Sequence, residues 1–229
     1  MSFEVKFEHV LPAGTCVAVS LPAGEDFAPP SVLHPDEAAF VHSSPAARRA
    51  TFIGGRVALR AAMAALGGGA ADAATPILST PRGAPAMPTG FVGSISHKRE
   101  LAVAIAARAA PTPLATIGID VEIARPPRTD IAPRVLTAAE RAALASLDDR
   151  ARDAAVLFRF AAKEAIYKAL DPWVQRLVSF QEVEIVTGAD GGWAARLSLS
   201  RGEGPFNVAL HDASRDGLVL VTAAIERAR

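Results

Sequence analysis

Ile117-Gly118-Ile119-Asp120-Val121-Glu122 is the stretch on which the reading of this chain turns. Residues two apart in a strand share a face, so Asp120 and Glu122 project together while Ile119, Val121 and Ile123 point the other way. Two neighbouring carboxylates repel unless a cation lies between them. A hard divalent ion such as Mg²⁺ meets that need with oxygen ligands. The alternative is an edge strand with a solvated polar face. The run covers residues 114–123 and follows Pro111-Thr112-Pro113, a proline-rich hinge near mid-chain that divides the sequence into residues 1–112 and 113–229.

Downstream, Thr137-Ala138-Ala139-Glu140 has the form of a capping box and starts a helix. A longer helix is expected over 153–170, ending before Pro172. Runs at 182–187, 193–199 and 218–225 alternate as strands do, with Gly191-Gly192 turning between the first two. Upstream, His34-Pro35-Asp36-Glu37 puts proline and acids where a first helical turn accepts them. Ser44-Pro45 reads as the start of a second helix that runs to Leu66 and stops at Gly67-Gly68-Gly69. Gly54-Gly55 inside it costs about 1 kcal/mol per residue against alanine, which points to close backbone approach. Residues 67–90 read as loop, and 91–96 and 101–107 as strands. Each half mixes helices with short strands, the pattern of an α+β fold, and no sequence repeat is visible.

The chain has 229 residues, 50% hydrophobic and 21% charged, enough to bury a core. Lys plus Arg and Asp plus Glu are 24 each, which excludes the broad basic field of a general nucleic-acid binder. The lone Cys16 cannot form an internal disulfide. Residues 1–20 lack the form of a signal peptide, because Pro12 and Gly14 interrupt the apolar stretch. No uncharged apolar run is long enough to span a membrane. The expectation is a cytoplasmic protein.

Three further clusters carry chemistry. In Phe160-Ala161-Ala162-Lys163-Glu164-Ala165-Ile166-Tyr167-Lys168, Glu164 falls on a helix face with Leu157, Phe160 and Tyr167, an apolar stripe in which a carboxylate needs a partner. Lys168, four residues on, can reach the same site, or the two form a surface ion pair. In Gly93-Ser94-Ile95-Ser96-His97-Lys98, Ser94 and Ser96 share a strand face, with His97 where the strand yields to a turn. Small hydroxyls, a glycine and an imidazole suit phosphate oxygens. A serine–histidine nucleophile is disfavoured because adjacent strand positions face apart and no G-x-S-x-G elbow is present. Arg49, Arg56 and Arg60 fall near one helix face, with Arg48 rotated by about 100°. They read either as a phosphate clamp or as a solvated face.

Taken in order, these blocks resemble the 4'-phosphopantetheinyl transferases, in particular the longer, pseudo-dimeric class that activates polyketide, nonribosomal peptide and siderophore synthetases. The resemblance runs from Leu33 to Phe180. It rests on Pro35-Asp36-Glu37, Arg48-Arg49 with Phe52, Gly55-Arg56, Gly83 with Pro85, Pro88 and Gly90, Gly93-Ser94-Ile95-Ser96-His97, Gly118-Ile119-Asp120-Val121-Glu122, and Lys163-Glu164-Ala165 with Tyr167-Lys168.

It implies two similar α+β halves related by a pseudo-twofold axis, with coenzyme A in the cleft between them. The 1–112 half would bind the adenosine 3'-phosphate, and the 113–229 half would carry the metal strand and catalytic helix. The implied reaction moves the phosphopantetheine arm of CoA to a serine of an apo acyl or peptidyl carrier protein, releasing adenosine 3',5'-bisphosphate. Asp120, Glu122 and Glu164 match Mg²⁺ ligands. Glu164 also matches the carboxylate that takes the serine proton, and Lys168 the lysine facing the leaving phosphate. His97 and Ser96 match contacts to CoA phosphates, and His97 counts among the catalytic candidates. Arg48 and Arg56 match the grip on the 3'-phosphate, and Arg82 is the nearest basic residue to a lysine many members carry near Ser79. Ala161 and Met87 depart from the Ser and Trp often found there.

Carrier proteins of this kind are typically acidic, so Arg125, Arg128 and Arg176 are candidates to steer them, the alternative being a solvated loop. A monomer is expected. A non-catalytic CoA-binding module and a Mg²⁺-dependent CoA phosphohydrolase are the competing functions.

Overall fold

The computed structural model describes residues 3–23, 31–98, 100–109, 115–126, 129–188 and 191–228. The chain divides into two units, Met1–Pro111 and Thr112–Arg229.

The first unit opens with β1 (Val5–Leu11) and β2 (Gly14–Ser20), antiparallel neighbours joined at Pro12-Ala13. The residues that break up the N-terminal apolar stretch are therefore a hairpin turn. Gly14 sits at φ +144°, where a side chain would meet the Ala106 carbonyl oxygen at 2.2 Å. Next come α1 (Pro35–Ser43), α2 (Ala46–Ala65) and the short α3 (Ala70–Ala73), then β3 (Phe91–Lys98) and β4 (Leu101–Arg108). The sheet order is β1-β2-β4-β3, antiparallel throughout.

α1 begins as its sequence predicts, with Pro35 in the first turn and a capping box between His34 and Glu37. Ser44 does not cap α2. Its hydroxyl donates back to the Phe40 carbonyl at 2.8 Å and closes α1, and α2 starts after Pro45 with no side-chain cap. α2 packs on the sheet through Gly54 and Gly55. A Cβ at Gly54 would lie 2.2 Å from Leu21 Cδ2, and one at Gly55 would lie 2.8 Å from Ile95 Cγ2. The glycine pair thus lets the helix lie close enough to the sheet to bury Ala58, Leu59 and Ala62 with Val17, Val19 and Ala104.

The second unit opens with β5 (Ala115–Ile123), followed by α4 (Ala132–Val135), α5 (Ala138–Ala143) and α6 (Asp149–Val174). A 3-10 turn (Phe180–Glu182) leads to β6 (Val183–Thr187), β7 (Trp193–Leu197), β8 (Phe206–Asp212) and β9 (Leu218–Arg227). One sheet runs β5-β9-β8, and β6 pairs with β7. α6 extends beyond the expected stop. Pro172 lies in its last turn, where the missing N–H costs one bond, and the helix ends at Gln175 in the left-handed region at φ 49°. The core face of α6 is Phe158, Ala161, Ala162, Ala165, Ile166, Ala169 and Leu170, packed on Val221, Ala223 and Ile225 of β9. Small residues dominate because the helix sits unusually close to β5. A Cβ at Gly118 would lie 1.9 Å from the Ala165 carbonyl oxygen. Ala161 is wholly buried in this seam.

Among the described residues no helix is long and apolar enough to cross a membrane.

Candidate functional site

β5 and α6 bring the second unit's candidates together. Thr116, Gly118, Asp120 and Glu122 are alternate residues of β5 and share a face. α6 lies on that face, since the Thr116 hydroxyl donates to the Ala169 carbonyl at 2.6 Å and Gly118 abuts Ala165. From the position directly before Ala169, the Lys168 ammonium donates to Asp120 Oδ1 at 2.7 Å and to the Ile119 carbonyl at 2.9 Å. The Asp120 side chain is only 7% exposed and that of Lys168 26%, so this pair is largely shielded from water yet open on one side.

Glu122, two residues further along the strand, is half-buried. Glu164 is also half-buried, flanked by the half-buried Phe160 and Tyr167. The expectation that its stripe faces the core is corrected: the core stripe is rotated onto Ala161, Ala165 and Ala169, and Glu164 borders it. Among the described residues no set of three or more His, Cys, Asp or Glu side chains is arranged to hold a metal ion. The donors suit a hard cation chemically, being all carboxylate oxygens, but the structure does not gather Asp120, Glu122 and Glu164 into a cage. The cation it places on Asp120 is Lys168.

In the first unit β3 runs through to Lys98, so His97 lies within the strand, opposite Ala102, and not in the turn. Ser94 and Ser96 are buried on one face, and His97 is exposed on the other.

The arginines of α2 divide. Arg48 is exposed, whereas Arg56 and Arg60 are buried, which removes the solvated-face reading for these two. Arg56 donates from Nε to the Ile77 carbonyl at 2.8 Å and from a terminal nitrogen to the Ser79 hydroxyl at 3.1 Å. Its guanidinium lies 3.8 Å from the centre of the Phe52 ring. Burial lowers its pKa to about 10, with Glu37 opposing the fall and Arg60 adding to it. Residues 78–86 form a small hairpin in which Ala86 N–H bonds Leu78 O, Thr80 N–H bonds Ala84 O, and Gly83 turns at φ +89°. Arg82 is exposed at its tip. Arg56 therefore anchors the base of the hairpin that presents Arg82, a role that helix spacing alone did not reveal.

Of the docking candidates, Arg125 is exposed and Arg128 lies outside the described residues. Arg176 is held by Glu182 at 2.7 Å and Glu203 at 2.6 Å. Its hydrogen bonds lower the pKa of each carboxyl to about 2, and both in turn raise that of the guanidinium. Two carboxylates outweigh one cation, so Arg176 presents no net positive charge to a partner.

The sequence reading missed the role of Lys163. It is 1% exposed and donates to Glu140 Oε2 at 2.6 Å, the Val135 carbonyl at 2.8 Å and the Phe180 carbonyl at 3.0 Å. Burial lowers its pKa, opposed by its bond to Glu140. A lysine amid Ala161, Ala162, Ala165 and Ile166 is the signal that could have revealed it, because it can be buried there only if paired.

Comparison with known proteins bears on both units. The model of the 4'-phosphopantetheinyl transferase N-terminal domain matches residues 36–107, and that of the 4'-phosphopantetheinyl transferase superfamily matches residues 116–223. The chain is 37% identical over 171 residues to 4'-phosphopantetheinyl transferase Svp of Streptomyces mobaraensis, covering 74% of this chain and 67% of that protein. It is 34% identical over 203 residues to 4'-phosphopantetheinyl transferase Npt of Nocardia iowensis, covering 87% and 82%. Among solved structures, a holo-(acyl-carrier-protein) synthase from Bacillus anthracis in complex with CoA (3',5'-ADP) is 27% identical with a TM-score of 0.42, over 49% of this chain and 96% of that one. The two family models and the curated relatives together establish that this chain belongs to the 4'-phosphopantetheinyl transferase superfamily, in its longer form.

Proposed function

We propose that the protein transfers the 4'-phosphopantetheine arm of coenzyme A to a serine hydroxyl of an apo acyl or peptidyl carrier protein, releasing adenosine 3',5'-bisphosphate. The observation that carries this reading is the Lys168–Asp120 pair at the β5–α6 seam, one turn from Glu164, in a chain matched by both family models. The serine oxygen forms a bond to the phosphorus bearing the pantetheine arm. The bond from that phosphorus to the bridging oxygen breaks, and its electron pair leaves on the nucleotide. Glu164 takes the serine proton, and Lys168, already in a charge-assisted hydrogen bond, faces the phosphate that departs. On the ground of their all-oxygen chemistry, and not of a cage already formed, Asp120, Glu122 and Glu164 would be the residues to hold a Mg²⁺ ion, which would supply positive charge against the pyrophosphate.

In the first unit, Arg48, Arg82, Ser96 and His97 are assigned to the phosphates of CoA, with Arg56 acting through the hairpin it anchors. Each unit by itself carries an antiparallel sheet crossed by one long helix, α2 or α6, which supports the reading of two similar α+β halves. Arg125 is assigned to the acidic carrier, with Arg128 beside it in sequence, and the protein is proposed to act as a cytoplasmic monomer.

The test is the intact mass of an apo carrier after incubation with this protein, CoA and Mg²⁺. A gain of ~340 Da, one phosphopantetheine by covalent mass, lost with EDTA and in Glu164→Ala, is expected. CoA cleaved with no mass gain would indicate a phosphohydrolase, and CoA bound but intact a binding module.

A further inference from the structure

We propose that the buried Glu140–Lys163 pair is a positioning device that holds α6 in the register on β5 at which Glu164 and Lys168 act; this rests on the transfer reading above. Lys163 is 1% exposed, and its ammonium is committed to Glu140, the Val135 carbonyl at the end of α4 and the Phe180 carbonyl in the 3-10 turn. An ammonium has three protons, and each has its acceptor, so the group touches no substrate. What it fixes is the helix. On one side α6 is fastened to α4, α5 and the 3-10 turn through Lys163. On another it is seated on β5 through Gly118, the Thr116–Ala169 bond and the Lys168–Asp120 pair. Glu164 follows Lys163 directly and Lys168 is just over one turn further on, so a roll or slide of the helix moves both. A misplacement of about 1 Å in a reacting group can cost about a hundredfold in rate.

The first unit contains the same construction, which identifies it as a clasp. Glu140 is the third residue of α5 and closes its capping box, and Glu37 is the third residue of α1 and closes its capping box. Glu140 pairs with Lys163 23 residues on, and Glu37 pairs with Arg60, at 2.6 Å, also 23 residues on. Each glutamate also accepts a backbone N–H from the segment after the long helix, Ile185 at 2.8 Å and Ile77 at 2.6 Å. Each long helix carries a second buried cation, an arginine, one turn before the paired one: Arg159 in α6 and Arg56 in α2. α2 bears none of the three carboxylates assigned to the reaction, and its clasp holds the segment leading to Arg82, so disturbing it is a comparison that reads out in CoA binding and not in turnover.

The experiment compares Glu140→Gln/Lys163→Met with Glu37→Gln/Arg60→Met in the carrier-modification assay, measuring kcat and the KM for carrier and for CoA, with circular dichroism to establish folding. A third variant, Lys163→Arg, keeps the charge but replaces the compact ammonium by a planar fork, so the pair remains without an orphaned buried glutamate. In the second-unit double variant and in Lys163→Arg, kcat is expected to fall on the order of tenfold or more while KM for carrier stays within about twofold; the first-unit double variant, which loosens the segment leading to Arg82, is expected to raise the KM for CoA without that fall in kcat. An unchanged kcat in a folded second-unit variant overturns the inference. So does an equal loss of kcat in both double variants, which would mark general destabilisation. A wild-type protein that transfers nothing defeats the transfer reading itself and this inference with it.

Discussion

In the first unit a buried glutamate is met by an arginine, and in the second by a lysine. Arg60 reaches Glu37 and the Thr75 carbonyl, while its neighbour Arg56 takes the Ile77 carbonyl and Ser79, so two planar forks hold one loop segment. Lys163 spends a single compact ammonium on three acceptors drawn from α4, α5 and the 3-10 turn. The seams differ likewise. α2 rests against side chains at its glycines, Leu21 and Ile95, which can yield, whereas at Gly118 the obstacle is the backbone of α6 itself. At the seam of long helix and sheet, the half assigned to phosphate binding meets side chains and the half assigned to chemistry meets backbone.

The strongest way to break this comparison is to remove the clasping cation. Arg60→Met takes the ion-pair partner from buried Glu37, and Lys163→Met leaves Glu140 only the longer contact to Arg159 at 3.8 Å; each is expected to cost about 3–5 kcal/mol, measured by denaturant unfolding. If either costs nothing, that clasp is not structural. Next come the glycines. Gly118→Ala is expected to lose about 1–3 kcal/mol or more by overpacking against a carbonyl that cannot retreat. Gly55→Ala is expected to cost less than Gly118→Ala, because a side-chain methyl of Ile95 obstructs it and not a backbone carbonyl, and the gain in helix propensity offsets part of the shift. Equal losses would erase the contrast between the seams.

The smallest effect is in acid. The Glu182 and Glu203 carboxyls lie at about 2 against an ordinary 4.5, so their pairing with Arg176 stabilises the second unit fully above about pH 4.5. That stabilisation is lost as pH falls toward 2. Arg176→Gln is expected to flatten the dependence of Tm on pH across that window.

Much of this was legible from local chemistry. The capping boxes at His34–Glu37 and Thr137–Glu140, the alternation of β5 and the glycine pair in α2 each follow from residues adjacent in sequence. β1 and β2 were not, because mixed charges and the Pro12-Ala13 turn hide a hairpin that is completed only by pairing with β4. β8 was missed for the same reason, since its ladder partner is β9. The repeat was invisible because its two copies share little beyond a glutamate and a cation 23 residues apart, and the cation itself differs. Pairing across such distances is a tertiary fact. The half-buried setting of Glu164 and the commitment of Arg176 likewise depend on neighbours that lie far away in sequence or across the fold.

Trp173 donates its indole N–H to the Thr116 hydroxyl at 2.8 Å and packs on Phe206, while Trp193 lies against Phe158. The chain has two tryptophans and one tyrosine, Tyr167, and all three fall in the second unit. The protein's own fluorescence is therefore a private channel on that unit. Heating or denaturant that melted the first unit alone would leave the emission of the indoles intact while the helical dichroism fell, so two ordinary spectrometers run side by side report the two halves separately, without a label.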